Sequence, residues 1–302
     1  MRYFVTGASG WIGTALIPEL HAAGHQVVGL ARSDAAAETV SALGAEVRRG
    51  GIDDLEVLRE AAQESDGVVH LAFRHDIAFS GDFAGAATSD RRAVEVFGEV
   101  LAGSDRPLAI ASGVLGATPG LLLTERDGHD GLPEGTQPGP AGRYATAEYT
   151  LALAERGVRS IVVRLAPTNH GAGDNGFMRA IVDGVQQAGA AGYVGDGDTR
   201  WPAVHRLDTA HLIALAMERA PAGSTVHAVA EEGVPFRAIA ERLGDLLGLP
   251  VASLTPEQAP QHYGWLADFV QLDTPVSNAL TKRLLGWEPT QPGLLDDLAT
   301  YV

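Results

Sequence analysis

The stretch "VTGASGWIG", residues 5–13, decides the fold. It ends an apolar run, "RYFV", and opens "WIGTALIPELHAAG", a helix whose Gly24 is a stop signal. Three glycines at this spacing are a weak signal alone. Between a strand and a helix, at the start of a βαβ unit, they mark a dinucleotide-binding turn. Gly7 permits the tight turn, Gly10 lets the backbone approach a pyrophosphate, and Gly13 lets the helix pack closely on the strand. Ser9, Trp11 and Ile12 ride on the same turn, where the unpaired N–H groups of the helix start face an anion. The competing reading is a tight turn that binds nothing.

Outward from this turn, apolar runs alternate with helical ones. "HQVVGLAR", "AEVRRG", "DGVVHLAF" and "RPLAIAS" read as strands; "DAAAETVSALG", "DDLEVLREAAQES" and "AATSDRRAVEVFGEVLAGS" read as helices. Ser33 or Asp34 caps the first of these helices. The pattern predicts an α/β protein, a Rossmann-type doubly wound parallel sheet with helices on both faces. A helix over about 143–156 and a strand "RSIVVRLAP" extend it, and further helices with short strands follow. Residues 1–170, joined by 203–230, are expected to form the nucleotide-binding core, and 171–302 mainly a smaller C-terminal substrate-binding lobe. Residues 117–142 are rich in Gly, Pro and Asp and lack a period, as expected of a functional lid.

Composition narrows the function. A net charge of −16 excludes phosphate-driven nucleic-acid binding. No run of 18 apolar residues is present, so no membrane span is expected. With no cysteine there are no disulfides, thiol nucleophiles or thiolate metal sites. The first strand begins at Arg2, leaving no room for a signal peptide, and a cytoplasmic location is expected. His75 and Asp76 are too few ligands for a metal. A small-molecule substrate is the expected partner, and a homodimer is compatible with the sequence.

The second strand ends in "GLARSD", with Arg32 nineteen residues beyond Gly13 and Ser33 next to it. A carboxylate at this tip accepts from a ribose 2′-OH, whereas a guanidinium grips a 2′-phosphate. The residues favour NADP (NADPH). The alternative is a solvated Arg32, with Asp34 as ribose acceptor.

With "TGASGWIG", "VVHLAF", "VVRLAPTNHGAG" and "RWPAVHRLDTAHL" the chain resembles the extended and atypical short-chain dehydrogenases/reductases over essentially its whole length. The resemblance implies cofactor contacts from Leu71 and Ala72, from Ala111, and from Pro167 and Thr168 beside the nicotinamide. Three positions depart from the family. Gly51 stands where an Asp often contacts the adenine, leaving Ile52 or Asp53 to substitute. "IASGVLG" puts Ser112 one place early for the serine that polarises a substrate carbonyl. Glu148 occupies the place four residues after Tyr144 where the family has lysine, and the chain's single lysine is Lys282.

Tyr144 and Glu148 share a helix face by spacing. A carboxylate there can accept from ribose hydroxyls, but it disfavours phenolate. Tyr144 is then a hydrogen-bond or proton donor rather than a base, assisted by Ser112. The competing reading is a packing tyrosine and a solvated glutamate. Arg74, His75 and Asp76 follow the fourth strand, on the ligand-binding side of such sheets. His75, His170, Phe177, Trp201 and His205 are candidate substrate-binding residues. Together these imply an NADPH-dependent reductase of a small or medium carbonyl or imine compound. Two alternatives stand: a redox-neutral epimerase, isomerase or dehydratase with bound NAD(P), and a non-catalytic NADP(H) sensor.

Overall fold

In chain order the described strands are β1 (Arg2–Thr6), β2 (Gln26–Ala31), β3 (Glu46–Arg49), β4 (Gly67–His70), β5 (Pro107–Gly113), β6 (Arg159–Leu165), β7 (Thr168–His170), β8 (Ala191–Val194), β9 (Arg200–His205), β10 (Ser224–Ala228), β11 (Glu231–Pro235) and β12 (Val251–Leu254). The helices are α1 (Gly13–Ala22), α2 (Asp34–Ala42), α3 (Leu55–Gln63), α4 (His75–Ala78), α5 (Phe83–Leu101), α6 (Pro140–Ala152), α7 (Phe177–Ala188), α8 (Arg206–Arg219), α9 (Phe236–Leu247), α10 (Ala259–Tyr263), α11 (Ala279–Leu285) and α12 (Leu294–Asp297). The structure, a computed structural model, describes residues 1–78, 80–114, 119–128 and 140–302.

Seven strands form one parallel sheet in the order β10-β6-β5-β4-β1-β2-β3. From β1 the chain winds outward through β2 and β3, then returns to β4 and winds the other way. The order therefore reverses between β1 and β4, the switch point where such sheets bind ligands. The strands are apolar on both faces because both are covered. On one face Leu16, Ile17 and Leu20 of α1 pack with Ile213 and Met217 of α8 and with Trp287. On the other, Leu58 of α3, Val94 and Phe97 of α5 and Ala147 of α6 close over Phe4, Leu108 and Val162. Each fully buried Leu or Phe in these layers contributes roughly 1.5–3 kcal/mol.

A third core belongs to the C-terminal lobe. Two small sheets, β11-β9-β7 and β12-β8, pack with α7, α9 and α10 around Trp201, Phe236 and Tyr263. β10 leaves this lobe to pair with β6 in the main sheet. The short α4 has four residues, too few to show a helical period in the sequence. Of the expected lid, residues 117, 118 and 129–139 lie outside the described residues. Its described part runs along 273–277, with Leu123 N donating to Pro275 O at 3.0 Å and Ser277 N to Leu123 O at 2.8 Å. Among the described residues no helix is long and apolar enough to cross a membrane.

Candidate cofactor cleft and active site

The glycine turn after β1 is set by backbone approach. Gly7 has φ 67°, and a Cβ on it would lie 2.8 Å from Ala72 N. A Cβ on Gly13 would lie 2.2 Å from Gly7 O, so α1 can start against the turn only with glycine there. Gly10 N donates to Gly7 O at 2.9 Å and closes the turn. Trp11 Nε1 donates to Asn169 O at 2.7 Å, tying the turn to β7, and the Arg206 guanidinium lies 4.2 Å over the Trp11 ring. Above it a cleft of about 760 Å³ opens at the switch point, lined by Gly7, Ser9, Gly10, Trp11, Ile12 and Gly13. Its size is ordinary for a cofactor site, and the N–H groups at the start of α1 suit a diphosphate. The residues fit a dinucleotide.

At the β2–β3 end the cleft is lined by Arg32, Ser33, Gly51, Ile52, Asp53 and Arg74, with Leu71 and Ala72 behind them. Ser33 Oγ accepts from Ala36 N at 3.2 Å, so Ser33 is the helix cap. The charges here are paired. Arg32 meets Asp76 at 3.2 Å, and Arg74 bonds both Asp76, at 2.9 Å, and Asp53, at 2.6 Å. Arg74, and after it Arg32, hold the Asp76 carboxyl down at about 2. Asp34, the alternative ribose acceptor, pairs with Arg49 at 2.6 Å and does not line the cleft. Where the family often has Asp, Gly51 N instead donates to Asp54 Oδ2 at 2.6 Å.

The other end is walled by Ala111 and Leu165, at the ends of β5 and β6, by Asn175, and by Arg143 from the first turn of α6. Arg143 Nη2 donates to Ala111 O at 2.7 Å, and its guanidinium lies 4.3 Å over the Phe73 ring. Tyr144, next in sequence, turns inward and is buried. Burial pushes its phenol above the ordinary range, with the Arg143 and Arg164 charges opposing. The direction is the one expected from sequence; the cause is not. Glu148 is exposed, does not line the cleft, and is not among the charges that shift Tyr144. Spacing put Glu148 on the Tyr144 face, but α6 packs through Tyr144 and Ala147 and leaves Glu148 in solvent.

Ser112 is also buried outside the cleft lining. Its strand register pairs it with Arg164 of β6, and Arg164 with His227 of β10. Register partners in a parallel sheet point to one face, so the three side chains form a polar row under α6. His227 Nδ1–H donates to Ser277 O at 2.8 Å, leaving Nε2 to face Arg164 Nη1 at 3.4 Å. Burial pushes the His227 imidazole down to about 4. Glu125 covers the row, its Oε1 accepting from Thr281 N at 2.7 Å and Thr281 Oγ1 at 2.8 Å. Ser112 Oγ, Arg164 Nε and Glu125 Oε2 have no hydrogen-bond partner among the described residues.

The remaining candidates divide. His75 lines the cleft, edge-on to Phe73 at 5.1 Å. Pro167 and Thr168 do not line it; Thr168 Oγ1 donates to Pro202 O at 2.7 Å, and Leu165 and Asn175 take the wall instead. His170 is buried with its Nδ1 2.7 Å from Asp297 Oδ2. Tyr301 OH donates to Asp174 Oδ2 at 2.9 Å, so α12 and the chain after it brace the loop that carries Asn175. His205 lies 5.4 Å from His170 and caps α8, its Nδ1 accepting from Leu207 N at 3.3 Å. Phe177 sits edge-on to Trp201, at 6.1 Å, and Trp265, at 5.4 Å, with Trp201 fully buried. Phe73, Leu165 and Asn175 escaped the sequence reading because nothing in their type marks them. Arg143 carried one signal: a cation in the first turn of a helix opposes the macrodipole, so something outside the helix must hold it there.

The family model for the NAD-dependent epimerase/dehydratase family matches residues 3–229. The chain belongs to that family. It is similar over 99% of its length, and 98% of the relative's, to "Uncharacterized protein YLL056C" of Saccharomyces cerevisiae, at 42% identity. It is 29% identical to the "4-hydroxy-2-methyl-3-oxo-4-farnesyl-3,4-dihydroquinoline-1-oxide ketoreductase" of Stigmatella aurantiaca, over 99% of this chain and 90% of that protein. Among solved structures it resembles DesIV, a dTDP-glucose 4,6-dehydratase from Streptomyces venezuelae with NAD and TYD bound. That likeness has a TM-score of 0.76 at 22% identity over 99% of this chain and 95% of DesIV, and speaks for the fold.

Proposed function

We propose that the chain is an NADPH-dependent reductase of a small or medium carbonyl or imine compound. The observation that carries this is the burial of Tyr144 on α6, next in sequence to the cleft-lining Arg143 though not itself in the lining. A phenol kept protonated can donate a hydrogen bond or a proton and is a poor base, which suits reduction better than alcohol oxidation. The nicotinamide, when bound, supplies the hydride. Arg143 orders the wall beside Tyr144, and Ser112 and Arg164 hold a polar layer beneath it. Preference for NADPH is supported at the far end, where Arg32 and Arg74 line the cleft and Asp34 is turned away onto Arg49. A ketoreductase among the relatives fits the same direction of chemistry.

The family description and the likeness to DesIV favour a second reading, redox-neutral epimerisation or dehydration with the cofactor retained. The two separate in one experiment. Purified chain is supplied with NADPH and a panel of carbonyls and imines, and reduced nicotinamide is followed by its absorbance. The reductase reading expects stoichiometric consumption, with Tyr144→Phe lowering kcat by roughly 10²–10⁴-fold. Product formed without net consumption of NADPH would move the reading to the second. Turnover by Tyr144→Phe equal to that of the native chain would remove Tyr144 from the chemistry.

A further inference from the structure

We propose that Arg143 binds the ribose on the nicotinamide side of the cofactor, supplying from the first turn of α6 the cation that position 148 lacks. The inference rests on reading the cleft as a dinucleotide site. Arg32 and Ser33 mark one end of that cleft and the glycine turn its middle; Arg143 stands at the other end with Ala111 and Leu165.

The side chain is held in place. Its Nη2–H is committed to Ala111 O at 2.7 Å, and the Phe73 ring fixes the plane at 4.3 Å. A guanidinium has five N–H donors, so this clamp leaves others for a ligand. Arg32 and Arg74 in the same cleft are tied to carboxylates. The partners described for Arg143 are a carbonyl and an aromatic face, and neither neutralises its charge. Its position also works against the helix, since a cation in the first turn opposes the macrodipole. A pair of vicinal hydroxyls offers the two adjacent acceptors that a guanidinium edge matches. Arg143 also stands close enough to Tyr144 for its charge to oppose the burial shift of the phenol. One guanidinium thus offers donors to a ribose and a positive charge beside Tyr144.

The test compares two ligands by titration calorimetry: NADPH, and 2′,5′-ADP, which carries only the adenine half. Arg143→Gln is expected to weaken NADPH roughly 10- to 100-fold and to leave 2′,5′-ADP as in the native chain. Arg143→Lys, which keeps the charge, is expected to recover most of the loss. Unchanged NADPH affinity in Arg143→Gln, even with a raised KM for a substrate, overturns the inference and assigns the guanidinium to the substrate. An equal loss of both ligands, in Arg143→Gln and in Arg143→Lys alike, overturns it in favour of a structural role. Should the native chain bind neither ligand, the dinucleotide reading itself fails, a result distinct from failure of the variant alone.

Discussion

The two ends of the cleft are built from different materials. Around the glycine turn the backbone makes the site: glycines at 7 and 13 let strand, turn and helix approach to distances that any side chain forbids. At the α6 end side chains do the work: Arg143 walls the cleft, and outside its lining Tyr144, Ser112, Arg164 and His227 hold their places by burial and by register across β5, β6 and β10. The first kind of site tolerates no substitution of its glycines and ignores pH. The second tolerates conservative exchange but carries titratable groups into the core.

The sharpest way to break this comparison is Gly13→Val. The new Cβ would meet Gly7 O at 2.2 Å, with backbone on both sides and nothing flexible to yield. Overpacking of this kind destabilises by roughly 1–3 kcal/mol or more. Displacing α1 also removes its N–H groups from the diphosphate. Loss of measurable NADPH binding in calorimetry is expected, with a lowered Tm. Native affinity in this variant would show that the turn is not the anion site.

The side-chain end is probed by acid. His227 is held neutral in the folded chain, its pKa pushed down to about 4, while in the unfolded chain it titrates near ~6.5. Below ~6.5 the unfolded state takes up a proton that the folded state refuses. The stabilisation is therefore complete above that pH and is lost as pH falls toward 4. The difference corresponds to about 3 kcal/mol, read as unfolding free energy in urea at pH 7 and pH 4. His227→Gln should flatten this part of the profile. A profile that keeps its full slope in the variant would move the acid sensitivity to other groups.

Arg32→Ala sharpens the picture of the adenine end. Removing one guanidinium should narrow the ratio of NADPH to NADH affinity roughly tenfold. The loss should be partial, because Arg74 remains on Asp76 and in the cleft lining. A ratio unchanged by both Arg32→Ala and Arg74→Ala would place the coenzyme preference elsewhere.

Legibility in the sequence follows the same division. The sheet and the phosphate turn could be read because a glycine's necessity shows in residue type and spacing alone. Leu71, Ala72, Ala111 and Ile52 could be placed because a strand end is a one-dimensional landmark, and all four line the cleft. The α6 wall could not be read in the same way. Which of Arg143, Tyr144 and Glu148 faces the cleft depends on how the helix is rotated against β5 and β6, and packing sets that rotation. His170, Trp201 and His205 stand out by type, but His170 and Trp201 are absorbed by contacts from elements far along the chain, and His205 caps its own helix α8.

Glu148→Lys tests this last point most directly, and its expected effect is the smallest. Residues four apart on a helix differ by about 40° in direction, so a pair can straddle the edge of a buried face. Tyr144 falls inside that edge and Glu148 outside it. Placing lysine at 148 restores the family's residue but not its surroundings, because the new ammonium would stand in solvent, where a charge is well screened. Stability should change by no more than about 0.5 kcal/mol, and NADPH affinity and the pH dependence of turnover should stay as in the native chain. A marked gain in alcohol oxidation would mean that α6 rotates when the cofactor binds, carrying position 148 into the cleft. In that event Arg143 and position 148 would compete for the same ribose, and Arg143→Gln combined with Glu148→Lys would recover the NADPH affinity that Arg143→Gln alone loses.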